Sequence, residues 1–136
     1  MTNTPAELLK KTLLVNATVS ILAGIICLGA NNTLTEFMGL DNTLYLYICG
    51  AGLALFGLDV GYTAVKAVEN ALYIKFIIAA DLFWVAASIA LLSFAPHWFS
   101  MEGTILIEAV AVMVTVLSVF EIIGFRKMTR ANIQLA

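Results

Sequence analysis

The sequence predicts an all-α fold, an integral membrane bundle of four antiparallel transmembrane helices arranged up-down-up-down. It forms a single domain over residues 1–136. Three observations carry that expectation. The chain is 62% hydrophobic and only 12% charged, whereas a soluble domain has about 45–50% apolar and about 25% charged residues. Polar surface is too scarce to cover a water-soluble globule, so the bilayer is the expected solvent. Four apolar runs, at about residues 12–30, 44–64, 76–95 and 104–125, each hold about 20 residues, which at ~1.5 Å per residue cross about 30 Å of hydrocarbon. None of the four alternates in the segments of about ten residues that build a membrane β-barrel.

Thr4-Pro5-Ala6-Glu7 is a T-x-x-E capping box with proline at the first helical position, so the first helix is expected to begin near Pro5, ahead of the membrane. Its first turns, AELLKK, are placed at the cytoplasmic surface. Lys10 and Lys11 precede the first span as the basic region of a signal peptide would. The apolar run is longer than the usual ~7–15 residues and no A-x-A site follows it, so an uncleaved helix is expected. The following loop, NNTLTEFMGLDN, has no lysine or arginine. Phe37, Met38 and Leu40 predict a short turn resting on the interface, and Asp41, Asn42 and Thr43 are N-cap candidates for the second span. The sequon Asn31-Asn32-Thr33 abuts the membrane and is read as chance.

The second loop, VKAVENALYIK, is short, which predicts that spans 2 and 3 form an antiparallel hairpin. In the third, SFAPHWFSMEG, a proline breaks the helix, and His97, Trp98 and Phe99 suit an aromatic belt at the headgroups. His97 is the only histidine, which excludes bis-histidine haem within one chain and argues against a histidine metal site. No cofactor and no metal are expected. The tail RKMTRANIQLA reads as a short basic topology anchor; its cations would gain about 1 kcal/mol each at an anionic surface.

All seven cations, Lys10, Lys11, Lys66, Lys75, Arg126, Lys127 and Arg130, fall on one side once four spans are drawn, whereas the other side carries Glu36, Asp41 and Glu102. The positive-inside rule then places the protein in the cell's inner membrane with both termini cytoplasmic. A dual-topology protein would need a balanced distribution. The expected partners are membrane lipids and either further copies of the chain or another membrane protein; no nucleic acid is expected.

Cys27 and Cys49 lie near one face and read either as two small buried apolar residues or as a disulfide between spans 1 and 2. Without a C-x-x-C, a thiol-redox enzyme is not expected.

Candidate functional residues are the polar ones inside the spans. Asp81 interrupts IKFIIAADLFWVAASIALL, where an ionised carboxylate costs roughly 2.5–3.5 kcal/mol on insertion scales. Asn16 near the start of span 1, Asp59 near the end of span 2 and Glu121 near the end of span 4 lie roughly 6–8 Å inside the cytoplasmic boundary, and Asp81 lies at that depth or slightly deeper. Antiparallel helices thus bring Asn16, Asp59, Asp81 and Glu121, one per helix, to a single level. At 100° per residue, Ser88 continues the stripe of Asp81, and Trp84 lies on an adjacent face. Glu108 and Glu121 are rotated about 140° apart and cannot both face one narrow axis. Three carboxylates at one level of a bundle cannot all be charged, since like charges repel and little water solvates them. Such a cluster suits proton or cation handling. It suits equally a protonated acid bonding helix to helix, at about 0.6–2 kcal/mol per contact, or snorkelling of Glu121 to Arg126 or Lys127 and of Asp59 to Lys66. Gly57-Leu58-Asp59-Val60-Gly61 is a G-x-x-x-G, a motif that permits close helix approach, and its two glycines lie 160–200° from Asp59 on the helical wheel.

The stretch AADLFWVAASIALL, with a loop glycine and acidic residues before a fourth helix, resembles uncharacterised small bacterial inner-membrane proteins of four spans, a group that brings no activity with it. The chain does not resemble the small multidrug transporters, whose essential glutamate lies in the first helix, where this sequence has only Asn16 and Ser20. It also lacks the polar and arginine pattern of the small fluoride channels. No nucleophile elbow, P-loop, metal spacing or histidine–carboxylate set is present, so no enzyme is expected. The leading expectation is an oligomeric or accessory membrane subunit that works through helix packing; the alternative is a small proton-linked or cation transporter using the intramembrane carboxylates.

Overall fold

The structure is a computed structural model and describes residues 4–136. It is all-helical. The helices are α1 (Pro5–Gly29), α2 (Asn31–Met38), α3 (Leu44–Lys66), α4 (Ala71–Phe94) and α5 (Met101–Leu135), with one 3-10 turn at Pro96–Trp98. By length and composition, α1, α3, α4 and α5 are each able to cross a membrane.

α1 starts with Pro5 in its first turn and Thr4 at the N-cap, but the Thr4 side chain makes no capping bond. The T-x-x-E box is therefore not closed: Glu7 turns outward and pairs with Lys11 at 2.7 Å, one turn on. The first loop is more ordered than a turn. Residues 31–38 form α2, which ends in Gly39 with φ 71°, a left-handed cap that glycine takes without Cβ strain. Ser100 donates its backbone N–H to the Met38 carbonyl at 2.8 Å and its hydroxyl to the Phe37 carbonyl at 2.6 Å. The same hydroxyl accepts from Gly103 at 2.9 Å and so caps α5. Asn31 donates to the carbonyls of Cys27 and Thr43, each at 3.1 Å, tying α1, α2 and the start of α3 together. Asn42 accepts from the Leu44 N–H at 2.8 Å. The basic tail is helical. RKMTRANIQL holds neither Gly nor Pro and is rich in good helix formers, so α5 runs on to Leu135.

α1 is the hub. It packs most extensively against α3 and then α5, and α4 packs on α5. The α1–α3 seam is set by glycine. A Cβ on Gly57 would stand 2.7 Å from Ile21 Cγ1 and 2.9 Å from the Ala17 carbonyl oxygen, and one on Gly24 would stand 2.8 Å from the Ala54 nitrogen. Contacts along the seam run in opposite order on the two helices, from Ala17–Gly57 to Cys27–Gly50. The expected hairpin of α3 and α4 is not a packed pair: the two helices barely touch. The small face of α3 is occupied by α1, and α4 is held by α5 instead.

The core gathers Leu9, Leu13, Ala17, Val60, Ala64, Ile74, Ile77 and Met128. These residues neighbour Lys10, Lys66, Lys75 and Lys127 in sequence, so the basic chain segments collect around one closed end. Beyond that end a cavity lies between α3 and α4.

Candidate functional site

Three helices meet at a polar triangle just beyond the closed core. Asn16 of α1 donates its side-chain N–H groups to Asp81 Oδ2 of α4 at 2.6 Å and to Glu121 Oε1 of α5 at 2.8 Å. Its own carbonyl oxygen accepts from the Ser20 hydroxyl at 3.1 Å. Asn16, Asp81 and Glu121 are 3%, 4% and 0% exposed, so the group is buried between the helices. The Asp81 and Glu121 carboxyls also lie within hydrogen-bonding reach of each other. Two carboxyl groups in contact need a proton between them, because two carboxylates offer only acceptors.

The donor count leaves a deficit. Both Asn16 N–H groups and the Ser20 proton are committed, and Glu121 Oε2 is fully buried with no partner. A buried polar atom without a partner costs about 1–3 kcal/mol. Among the described residues, Thr63 Oγ1 is the other such side-chain atom. The single ion pair found among them, Lys11–Glu7, lies at the surface, so no lysine or arginine neutralises the two acids.

Asp59 does not belong to this triangle, which corrects its grouping with Asn16, Asp81 and Glu121. Its depth along the helix matches, but its direction does not. Gly57 is seated against α1, and a residue 160–200° away on the same helix must point outward; Asp59 is exposed. Glu108 is exposed as well, while Glu121 takes the interior of α5. Ser88 is buried and donates to the Trp84 carbonyl at 2.9 Å. Trp84 is half-buried and makes no hydrogen bond to Asp81 among the described residues. Gly61 sits in ordinary contact with α1, 3.5 Å from the Ala17 side chain measured from a Cβ built on it. The G-x-x-x-G thus packs within the chain.

Beyond the triangle a half-open cavity of about 370 Å³ lies between the helices. Asp81 and Ser20 stand on its wall, among Phe56, Leu53, Met113 and Val114. A second cavity of about 550 Å³ adjoins it and shares Cys49 and Trp84 with it. This one is bordered by Met38, Asp41, Tyr45, Trp98 and Phe99 at the end opposite the basic segments. Both cavities are lined mainly by apolar side chains. Nothing in the sequence marked the cavity, because Phe56 and Met113 read as ordinary apolar positions of their helices. Cys27 and Cys49 are free thiols within hydrogen-bonding reach of each other across the α1–α3 seam.

Comparison of the chain with protein-family models, with curated proteins and with solved structures finds no match.

Proposed function

We propose that the chain is an up-and-down bundle of four transmembrane helices in the inner membrane, with both termini cytoplasmic. We propose further that it acts as a small proton-linked carrier of cations. The supporting observation is the donor deficit at the triangle: Glu121 Oε2 is buried without a partner, and Asp81 beside it faces a cavity. In this reading the empty cluster is kept neutral by a proton on each acid. An arriving cation displaces one proton, and the other stays between Asp81 and Glu121. Asn16 orients both carboxyls and is a positioning residue. In this reading the apolar core around Leu9, Val60, Ile74 and Met128 seals the cytoplasmic side, and the cavities between the helices serve the other.

The test is collapse of an imposed pH gradient in proteoliposomes, followed by an entrapped pH-sensitive dye, across a panel of inorganic and organic monovalent cations. At least one cation should accelerate collapse with the wild type and not with Asp81→Asn or Glu121→Gln, both folded. A panel in which no cation separates wild type from variants would overturn the reading.

A second reading rests on Asp59. An acid on the outer surface of α3, roughly 6–8 Å inside the boundary, is costly against lipid. A helix of another membrane protein bearing a donor at that depth would remove the cost and make this chain an accessory subunit. The Gly57/Gly61 face cannot serve such a contact, because α1 already occupies it.

A further inference from the structure

The cavity beside the triangle is chemically lopsided. Its wall is mainly aliphatic and aromatic, and Asp81 is its one ionisable carboxyl, with Ser20 and the Cys49 thiol as further polar groups. The Ser20 proton is spent on Asn16, and both Asn16 N–H groups are spent on the acids. Around Asp81 neither Asn16 nor Ser20 has a donor left, and once a proton has left the acids the site offers acceptors and negative charge. With one proton gone and the other held between them, Asp81 and Glu121 keep one charge, and no lysine or arginine among the described residues pairs with either.

The complement to such a site is a cation that donates hydrogen bonds and carries its own apolar body. A metal ion fits poorly. Among the described residues no cluster of three or more His, Cys, Asp or Glu side chains exists to hold one, and a hydrated ion loses its water against apolar walls without replacement ligands. A protonated amine fits on three counts. Its ammonium is charged at neutral pH, as lysine's is. It carries up to three N–H donors for the acceptor oxygens of Asp81 and Glu121, whose side-chain donor Asn16 is already committed to both. Its apolar part gains burial against Phe56, Phe83, Trp84 and Met113, where the aromatic faces also attract a cation.

Resting on the carrier reading, we infer that this cavity binds an amphipathic organic amine, its ammonium on Asp81 and its apolar body in the space between α3 and α4. The adjoining cavity of about 550 Å³ extends the room for a longer apolar chain and supplies the way in from the end opposite the basic segments. Binding balances as an exchange: the ammonium enters, one carboxyl proton leaves to water, and the remaining proton stays between Asp81 and Glu121.

The test uses the full chain in lipid nanodiscs with Trp98→Phe, which leaves Trp84, on the cavity wall, as the one remaining tryptophan of two. The probe is dodecylammonium, with dodecanol and dodecanoate as partners of equal chain length. Trp84 emission should report saturable binding of dodecylammonium at least about tenfold tighter than of dodecanol, with one proton released per amine bound. Asp81→Asn should remove that preference. Gly52→Leu should weaken binding by filling the cavity while leaving the acids untouched, because a Cβ on Gly52 meets nothing within 4 Å. Equal binding of ammonium and alcohol, or undiminished binding by Asp81→Asn, would overturn the assignment. Gradient collapse by rubidium without amine binding would sink this inference and leave the carrier reading standing. Amine binding without proton release would keep the site and sink the carrier reading.

Discussion

Replacing Asn16 with leucine should destabilise the bundle, and replacing Asp81 with asparagine should not. Asn16 is the sole N–H donor to two buried acids on two different helices, at 2.6 and 2.8 Å. Asn16→Leu keeps the branching of the side chain and deletes both interhelical bonds. At about 0.6–2 kcal/mol per contact, the loss is about 1–4 kcal/mol. The acids also lose their only donor other than a shared proton, which pushes the cost towards the upper end. Asp81→Asn behaves differently. The new amide can still accept the Asn16 N–H and adds donors beside Glu121, where one oxygen has none. Its stability should stay within about 1 kcal/mol of wild type or exceed it. Thr18→Leu is the control, since Thr18 is exposed on the same helix and bonds only its own Leu14 carbonyl. Reversible unfolding in mixed micelles, titrated with a denaturing detergent and followed by circular dichroism, resolves differences of this size. An Asn16→Leu protein as stable as the Thr18→Leu control would refute the claim that the amide ties α1 to α4 and α5.

Three further outcomes are expected. Gly57→Leu should loosen the α1–α3 seam and cost about 1–3 kcal/mol by overpacking, because even a Cβ there lies 2.9 Å from the Ala17 carbonyl oxygen; the same unfolding titration reads it, and an unchanged midpoint would contradict the close approach. Mild copper–phenanthroline oxidation should consume both thiols as an intramolecular Cys27–Cys49 bond, seen by mass spectrometry with no dimer on a non-reducing gel. A disulfide-linked dimer as the main product would place the two thiols apart. In a cysteine-free background, a single cysteine at Asn32 should react with an impermeant maleimide from outside intact cells and one at Glu69 should not. The reverse pattern would invert the topology.

Much of the architecture is local and was legible in the sequence. The four long helices follow from runs of about 20 apolar residues, and the shared depth of Asn16, Asp81 and Glu121 follows from counting 1.5 Å per residue. Even the outward turn of Asp59 is implicit in its 160–200° separation from Gly57 and Gly61, once it is known that the glycines face α1. That last condition is not local. A helix apolar on nearly all sides carries no inward direction in its pattern, so rotation is decided by what packs against it. The glycines of α3 admit α1 closely, and this turns Asp59 out and leaves α4 to α5. The same choice parts α3 from α4 and opens the cavity at Asp81, a space bounded by residues from four helices that no single segment could announce. The helix at residues 31–38 and the packing of the tail were likewise settled by contacts between elements. Ser100 grips the Phe37 and Met38 carbonyls at the end of α2, and Met128, within the tail, is buried against Leu9 and Ile74. Hydropathy and periodicity report on one helix at a time, whereas the triangle and its cavity exist only between helices.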